Sequence, residues 1–272
     1  MNTIPCPFLL IEPEDLAKKL PSKELIIIAV CSEKVFSEGH LPGAILVQPR
    51  ELVCGVKPAT GKLPSQESLD RLFSRIGLNH DKHLIAYDDE GGGWAGRLLW
   101  TLDVVGHSSY SLLNGGQISW AQAGLPLPTE VVSPTPSEFH CMIDKSFIAE
   151  LDEVIASIEN NDVIVWDARA KEEYEGSKIT ALKNGHIPGA VNLDWLDVMD
   201  RDNDLKLKSL DLLRQQLASI GITPGKKVIT HCLSHHRSGL TYFVGKLLGL
   251  DIQAYDGSWS EWGNHPETPF EV

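Results

Sequence analysis

An eight-residue phrase occurs twice in this chain. Glu38-Gly39-His40-Leu41-Pro42-Gly43-Ala44-Ile45 returns 146 positions later as Asn184-Gly185-His186-Ile187-Pro188-Gly189-Ala190-Val191. That offset is far longer than a solenoid period and is the length of a domain, so it points to duplication of a whole folding unit. Other pieces keep the same order. His83 to Asp89 precedes a glycine-rich loop and a helical run, as Lys227 to Cys232 precedes its own loop and helix; Asn114 to Trp120 is answered by Asp256 to Trp262. A length of 272 residues accommodates two domains of ordinary size.

Within each half, apolar runs alternate with helical patterns. Leu25 to Val30 and His83 to Tyr87 read as strands, Ser65 to Ile76 and Trp94 to Val105 as helices. In the second half Val163 to Asp167 and Val228 to Thr230 read as strands, Ser209 to Ile220 and Leu240 to Leu248 as helices. Strands without in-out alternation, joined by helices, imply a mostly parallel sheet covered on both faces. The fold expected is α/β, two similar domains each with a mostly parallel sheet flanked by helices. The proline-dense stretch from Gly124 to Ser137 reads as a connector. The division expected is an N-terminal domain over 1–124, a linker over 125–146 and a C-terminal domain over 147–272.

The second half carries the chemistry. Cys232-Leu233-Ser234-His235-His236-Arg237-Ser238 lies between a strand and a helix, where backbone N–H groups converge and three imidazoles and a guanidinium surround a thiol. Such surroundings lower a cysteine pKa from about 8.5 to roughly 3.5–7.5 and make a thiolate nucleophile. A buried strand-end cysteine would not need His235, His236 and Arg237 directly after it. In open parallel sheets ligands bind beyond the carboxyl ends of strands, which is where Cys232 falls.

The first half lacks this equipment. Aligned on Gly96 and Gly239, Asp89 stands opposite Cys232 and Glu90-Gly91-Gly92-Gly93 opposite Leu233 to His236. After the early strand, Asp167-Ala168-Arg169 stands against Ala29-Val30-Cys31. The three glycines invite a phosphate-cradle reading, but Asp88, Asp89 and Glu90 would repel phosphate and no P-loop Lys-Ser/Thr follows. The glycines instead suit close packing on the other domain, with Asp89 and Glu90 near the shared cleft. The first domain is expected to be catalytically inactive.

Composition excludes several classes. A formal net charge of −13, from 24 basic against 37 acidic residues, disfavours nucleic acid and anionic membrane as partners. The stretch from Met1 to Pro7 has no basic n-region, and no apolar run approaches a membrane span. Cys6, Cys31, Cys54, Cys141 and Cys232 form no C-x-x-C pair, which supports neither a disulfide framework nor a thiolate metal site. A reducing compartment, the cytoplasm, is expected, with no metal or organic cofactor.

The duplication, the His-x-Pro-Gly-Ala turn in both halves, the Asp167-Ala168-Arg169 triplet and the six-residue loop starting at Cys232 closely resemble the tandem rhodaneses over nearly the whole chain. The loop is most similar to a bacterial subgroup of the form C-x-T-H-H-R-S-G, with Ser234 in place of threonine. The resemblance implies thiosulfate sulfurtransferase activity. Cys232 takes the outer sulfur of a small anionic donor as a persulfide and passes it to cyanide, a thiol or a protein. Leu233 to Ser238 would line the sulfur with N–H groups, and His235, His236 and Arg237 would orient the donor. Arg169 is read either as a donor contact or as half of a buried pair with Asp167. Trp195 walls the pocket or packs in the core. Trp259 and Trp262 read as packing near the cleft rim, and His40 and His186 as backbone-bonded turn residues. Glu173 occupies a position that is cationic in animal members.

Other functions compete. One is 3-mercaptopyruvate sulfurtransferase. Another is a dual-specificity-type cysteine phosphatase, whose H-C-x5-R loop requires arginine where Ser238 stands. The third is a docking module.

Overall fold

A computed structural model describes residues 9–272, so Cys6 and the Met1–Pro7 stretch lie outside the described residues. The first half runs β1 (Leu10–Ile11), α1 (Pro13–Ala17), β2 (Leu25–Val30), α2 (Glu33–Glu38), β3 (Ile45–Val47), α3 (Gln66–Arg75), β4 (His83–Tyr87), α4 (Gly93–Val104), β5 (Tyr110–Leu113) and α5 (Gly116–Gln122). Its strands form a parallel sheet in the order β1-β5-β4-β2-β3. The second half runs α6 (Leu151–Ser157), β6 (Val163–Asp167), α7 (Lys171–Tyr174), β7 (Val191–Asn192), the hairpin strands β8 (Met199–Asp200) and β9 (Lys206–Leu207), α8 (Leu210–Ser219), β10 (Lys227–His231), α9 (Arg237–Leu247), β11 (Asp251–Ala254) and α10 (Ser258–Trp262). Its main sheet is parallel in the order β11-β10-β6-β7. Two α/β halves with parallel sheets and flanking helices match the fold class read from the sequence.

Local sequence explains the repeated elements. Ser65 and Ser209 cap α3 and α8 by accepting the backbone N–H three residues on, and Leu69, Leu72 and Phe73 in α3 and Leu213 and Leu217 in α8 point to the core. The repeated turn histidines do equivalent work. His40 stacks on Phe36 and bonds its carbonyl at 2.9 Å; His186 stacks on Tyr174 and bonds that carbonyl at 2.9 Å. Residues 123–144 carry no helix or strand, and lie along the first half, where Cys141 N–H donates to Asp70 and Phe139 N–H to Ser74.

Of three hydrophobic clusters, one belongs to each half and the third spans both. The largest hydrophobic cluster joins Leu98, Leu99 and Leu102 of α4 to Leu240, Phe243 and Val244 of α9. The helices approach so closely at Gly96 and Gly239 that a Cβ on either would sit about 2.4–2.5 Å from the other's backbone. Beside that contact, Asp103 of α4 accepts from the Tyr242 hydroxyl at 2.8 Å and pairs with Lys246 at 2.9 Å, both on α9. This cross-domain seam sets α9, and therefore the loop before it, against the first half.

Candidate active site

β10 ends at His231, and the chain turns through Cys232 to His236 before α9 begins. His235 adopts φ 53°, a left-handed conformation that costs a non-glycine residue energy and closes the loop tightly. Ser258 holds it from behind. Its hydroxyl accepts N–H from Cys232 at 3.4 Å and His235 at 3.1 Å, while Trp259 and Ser260 donate their N–H groups to the carbonyls of Cys232 and Leu233 at 2.9 Å.

At the centre lies the Cys232 sulfur, fully buried. Burial raises its pKa, but the Arg237 charge, hydrogen bonds from the Ser238 hydroxyl and N–H, and His236 more than reverse this and bring it below the ordinary thiol value. The Ser238 N–H belongs to the first turn of α9, where the helix dipole also favours an anion.

The other loop residues separate into two environments. Leu233, Ser234, His236 and Arg237 keep part of their surface open, whereas His235 and Ser238 are sealed. Leu233 packs its side chain on the Tyr255–Trp259 cluster. Arg237 is clasped by Glu173 through two hydrogen bonds of 2.6 and 3.0 Å. Burial opposes ionisation of Glu173, yet Arg237, Arg169 and Lys178 hold its carboxyl below the usual range. His236 stacks on Trp94 at 4.4 Å, lies 5.7 Å from Trp195, and bonds Glu90 through Nε2. Trp195 is half-buried at the same opening, in the short 3-10 turn Trp195–Val198.

Two expectations are corrected, and the two readings left open for Arg169 are decided in favour of the buried pair with Asp167. His235 does not face a donor as a cation: it is buried edge-on to Trp100 at 4.5 Å, and burial, with Arg97 and His236 alongside, keeps its imidazole neutral, well below its ordinary value. Arg169 is closed to a ligand, because its buried guanidinium grips Asp167 at 2.6 Å and the Gly185 carbonyl at 2.7 Å and stacks on Trp259. Trp259 and Trp262 are core residues with no exposed surface, not rim residues.

The first half reaches the site at places that sequence reasoning did not identify, Trp94, Arg97 and the 53–63 loop among them. A Cβ on Gly61 would overlap the Ser234 carbonyl at 2.1 Å, Leu63 N–H donates to Asp256 at 2.8 Å, and Lys62 bridges Glu150 and Glu261 at 3.3 Å each. Glycines 92 and 93 lie against Leu240 and His236, the close packing expected of that loop. Glu90 enters the cleft. Asp88, by contrast, turns inward and fills the first half's own N–H nest, accepting from Glu90, Gly91, Gly92 and Ala95 at 2.8–3.1 Å. Its carboxylate occupies the space an anionic ligand would need.

The rhodanese-like domain model matches this chain twice, over residues 12–123 and 150–265. The chain belongs to the rhodanese family. The thiosulfate sulfurtransferases of Azotobacter vinelandii and Pseudomonas aeruginosa are 43% and 44% identical to this rhodanese over 97% of each chain. A sulfur carrier protein of Thermus thermophilus, TtuD, is 34% identical over 85% of this chain and 84% of its own. Among solved structures, the anaerobic ergothioneine biosynthesis enzyme of Chlorobium limicola superposes with a TM-score of 0.85, covering 97% of this chain and 70% of that one at 23% identity, a likeness of fold. Among the described residues no helix is long and apolar enough to cross a membrane, and no group of three or more His, Cys, Asp or Glu is placed to hold a metal.

Proposed function

We propose that this protein is a thiosulfate sulfurtransferase in which Cys232 carries the transferred sulfur. The observation that carries the reading is the Cys232 sulfur at the focus of the Ser238 hydroxyl and N–H donors and of the Arg237 charge, at the start of α9. The thiolate attacks the outer sulfur of thiosulfate, the S–S bond breaks, and sulfite leaves with its electron pair. The Cys232 persulfide remains until an acceptor nucleophile, such as cyanide, a thiol or a protein cysteine, removes the outer sulfur and restores the thiolate. The same Ser238 donors that stabilise the thiolate stabilise the persulfide anion.

Arg237 and His236 meet the donor at the opening, with Trp94 and Trp195 as walls; Leu233, Ser234 and Ser238 contribute backbone or hydroxyl groups, and Arg169 supports the fold. The unit over 147–272 is catalytic, the unit over 1–124 supports it, and 125–146 connects them. A reducing compartment such as the cytoplasm suits a free thiolate. Phosphate chemistry is disfavoured because Arg237 comes one residue too early in the loop, with Ser238 where that chemistry needs arginine.

The test is thiocyanate formation from cyanide with thiosulfate or 3-mercaptopyruvate as donor. The reading expects turnover with thiosulfate that Cys232→Ser abolishes. Turnover with mercaptopyruvate alone would move the protein to the sister activity, and turnover with neither would refute sulfur transfer.

A further inference from the structure

Arg97 is a buried cation that the sulfur-transfer chemistry does not use. It projects from α4 of the non-catalytic half, its guanidinium fully buried and 4.5 Å over the face of Trp100, with Nη2 donating to the Leu52 carbonyl at 2.7 Å. Its Nε and Nη1 have no hydrogen-bond partner among the described residues. His235 meets the edge of the same indole, and its Nε2 is likewise buried without a partner. Unsatisfied groups of this kind are costly, and complementary ones in one interior place are commonly joined by an ordered water.

The direction of each bond follows by elimination. The Ser238 hydroxyl has one proton and gives it to the Cys232 sulfur. It must therefore accept from His235, whose Nδ1 lies 2.8 Å away. His235 is neutral, so a proton on Nδ1 leaves Nε2 as a bare acceptor, buried beside Trp100. Arg97 offers N–H donors there and no acceptor. Burial lowers its pKa to about 10, against the opposing charges of Asp256 and Cys232, so it remains a cation at neutral pH.

We propose that Arg97 is a positioning residue of the catalytic cysteine: through one bridging water it donates to His235 Nε2, fixes the Nδ1–H tautomer, and thereby aims the Ser238 hydroxyl at the Cys232 sulfur. The first half thus supplies the far end of a one-way hydrogen-bond chain, Arg97 to water to His235 to Ser238 to sulfur. The Asp256 carboxylate, whose Oδ1 lacks a partner, is a second acceptor near the same cation. The titratable groups facing the sulfur are Arg237, His236 and Arg97; those facing His235 are Arg97 and His236; those facing Arg97 are Asp256, Cys232, Cys54 and His235.

This inference deepens the sulfurtransferase reading and rests on it for its catalytic meaning, but its test reads the thiol directly. The Cys232 thiolate is titrated by its ultraviolet absorbance, with Cys232→Ala as the blank. Arg97→Met should raise the midpoint by roughly half to one pH unit, a three- to tenfold loss of thiolate below the midpoint, with Arg97→Lys between the two. In a Ser238→Ala background the same Arg97→Met change should move the midpoint by less than a third as much. An unmoved midpoint in Arg97→Met, or an equal shift in both backgrounds, overturns the chain. Should Arg97→Met not fold, 15N NMR of the parent's histidines decides: Nδ1 protonated and Nε2 bare on His235 is expected, and the opposite tautomer contradicts it. Failure of the parent to form a persulfide would remove the sulfurtransferase reading while leaving these results interpretable.

Discussion

Glu173→Gln should tighten the binding of an anionic donor while weakening the fold. Glu173 is almost wholly buried and neutralises Arg237 through two hydrogen bonds. A bidentate pair sets carboxylate and guanidinium carbons about 4 Å apart, so a dianion on the other side of the guanidinium lies on the order of 8 Å from the Glu173 charge. With an effective dielectric of about 40, repulsion between one unit charge and a dianion there amounts to about 2 kcal/mol, and salt reduces it to about 1–2 kcal/mol. Its removal corresponds to a five- to thirtyfold lower KM for thiosulfate, or for an uncharged acceptor no change. Gln still offers Arg237 one carbonyl acceptor, so the stability loss should be about 1–3 kcal/mol, short of the cost of stranding a fully buried charge. Steady-state kinetics at two ionic strengths and urea denaturation read the two effects separately. A thiosulfate KM that stays constant or rises in a variant shown to be folded would refute the placement of Arg237 at the donor.

Other outcomes follow from the same geometry. Asp167→Asn strands the buried Arg169 guanidinium and should cost about 3–5 kcal/mol in chemical denaturation near pH 7. Burial raises the Asp167 pKa, but His231 and Arg169 together bring it below its ordinary value; since burial also keeps His231 below its own, Arg169 is the partner that acts at neutral pH. A depressed carboxyl contributes stability above its unfolded pKa of about 3.9 and loses it as pH falls through the folded value, so the parent and variant should converge in acid. Gly239→Ala, which elsewhere in a helix would stabilise, places a Cβ 2.4 Å from the Arg97 backbone nitrogen and should lower Tm by roughly 3–10 °C. Iodoacetamide should label Cys232 with a pH midpoint below the ordinary thiol value and before Cys31, which burial, Asp89 and Asp88 push up to about 12; prior labelling of Cys31 would contradict the electrostatics.

The sheets were legible because buried parallel strands write themselves as continuous apolar runs, and Leu25–Val30, His83–Tyr87 and Val163–Asp167 begin and end where those runs do. Two-residue strands such as Leu10–Ile11 and Val191–Asn192 leave no such signature, because their pairing depends on neighbours far along the chain. Helix α9 begins at Arg237, three residues earlier than its apolar pattern, since the loop geometry rather than side-chain periodicity starts it. At the site, Cys232 and its basic neighbours could be read locally. Their partners could not: Glu173 lies 64 residues from Arg237 and Glu90 lies 146 from His236, so only the folded chain shows which carboxylates face the basic loop. The burial of His235 was hidden for a related reason, because Trp100 and Arg97, which cover it, come from the other half.

Intact-protein mass spectrometry of the parent and Cys232→Ala, before and after thiosulfate and again after cyanide, tests the central claim most directly. The account predicts a gain of one sulfur atom, about 32 Da by ordinary atomic mass, that maps to Cys232, is absent from the variant and is removed by cyanide. No gain on thiosulfate, or a gain that persists in Cys232→Ala, would contradict it.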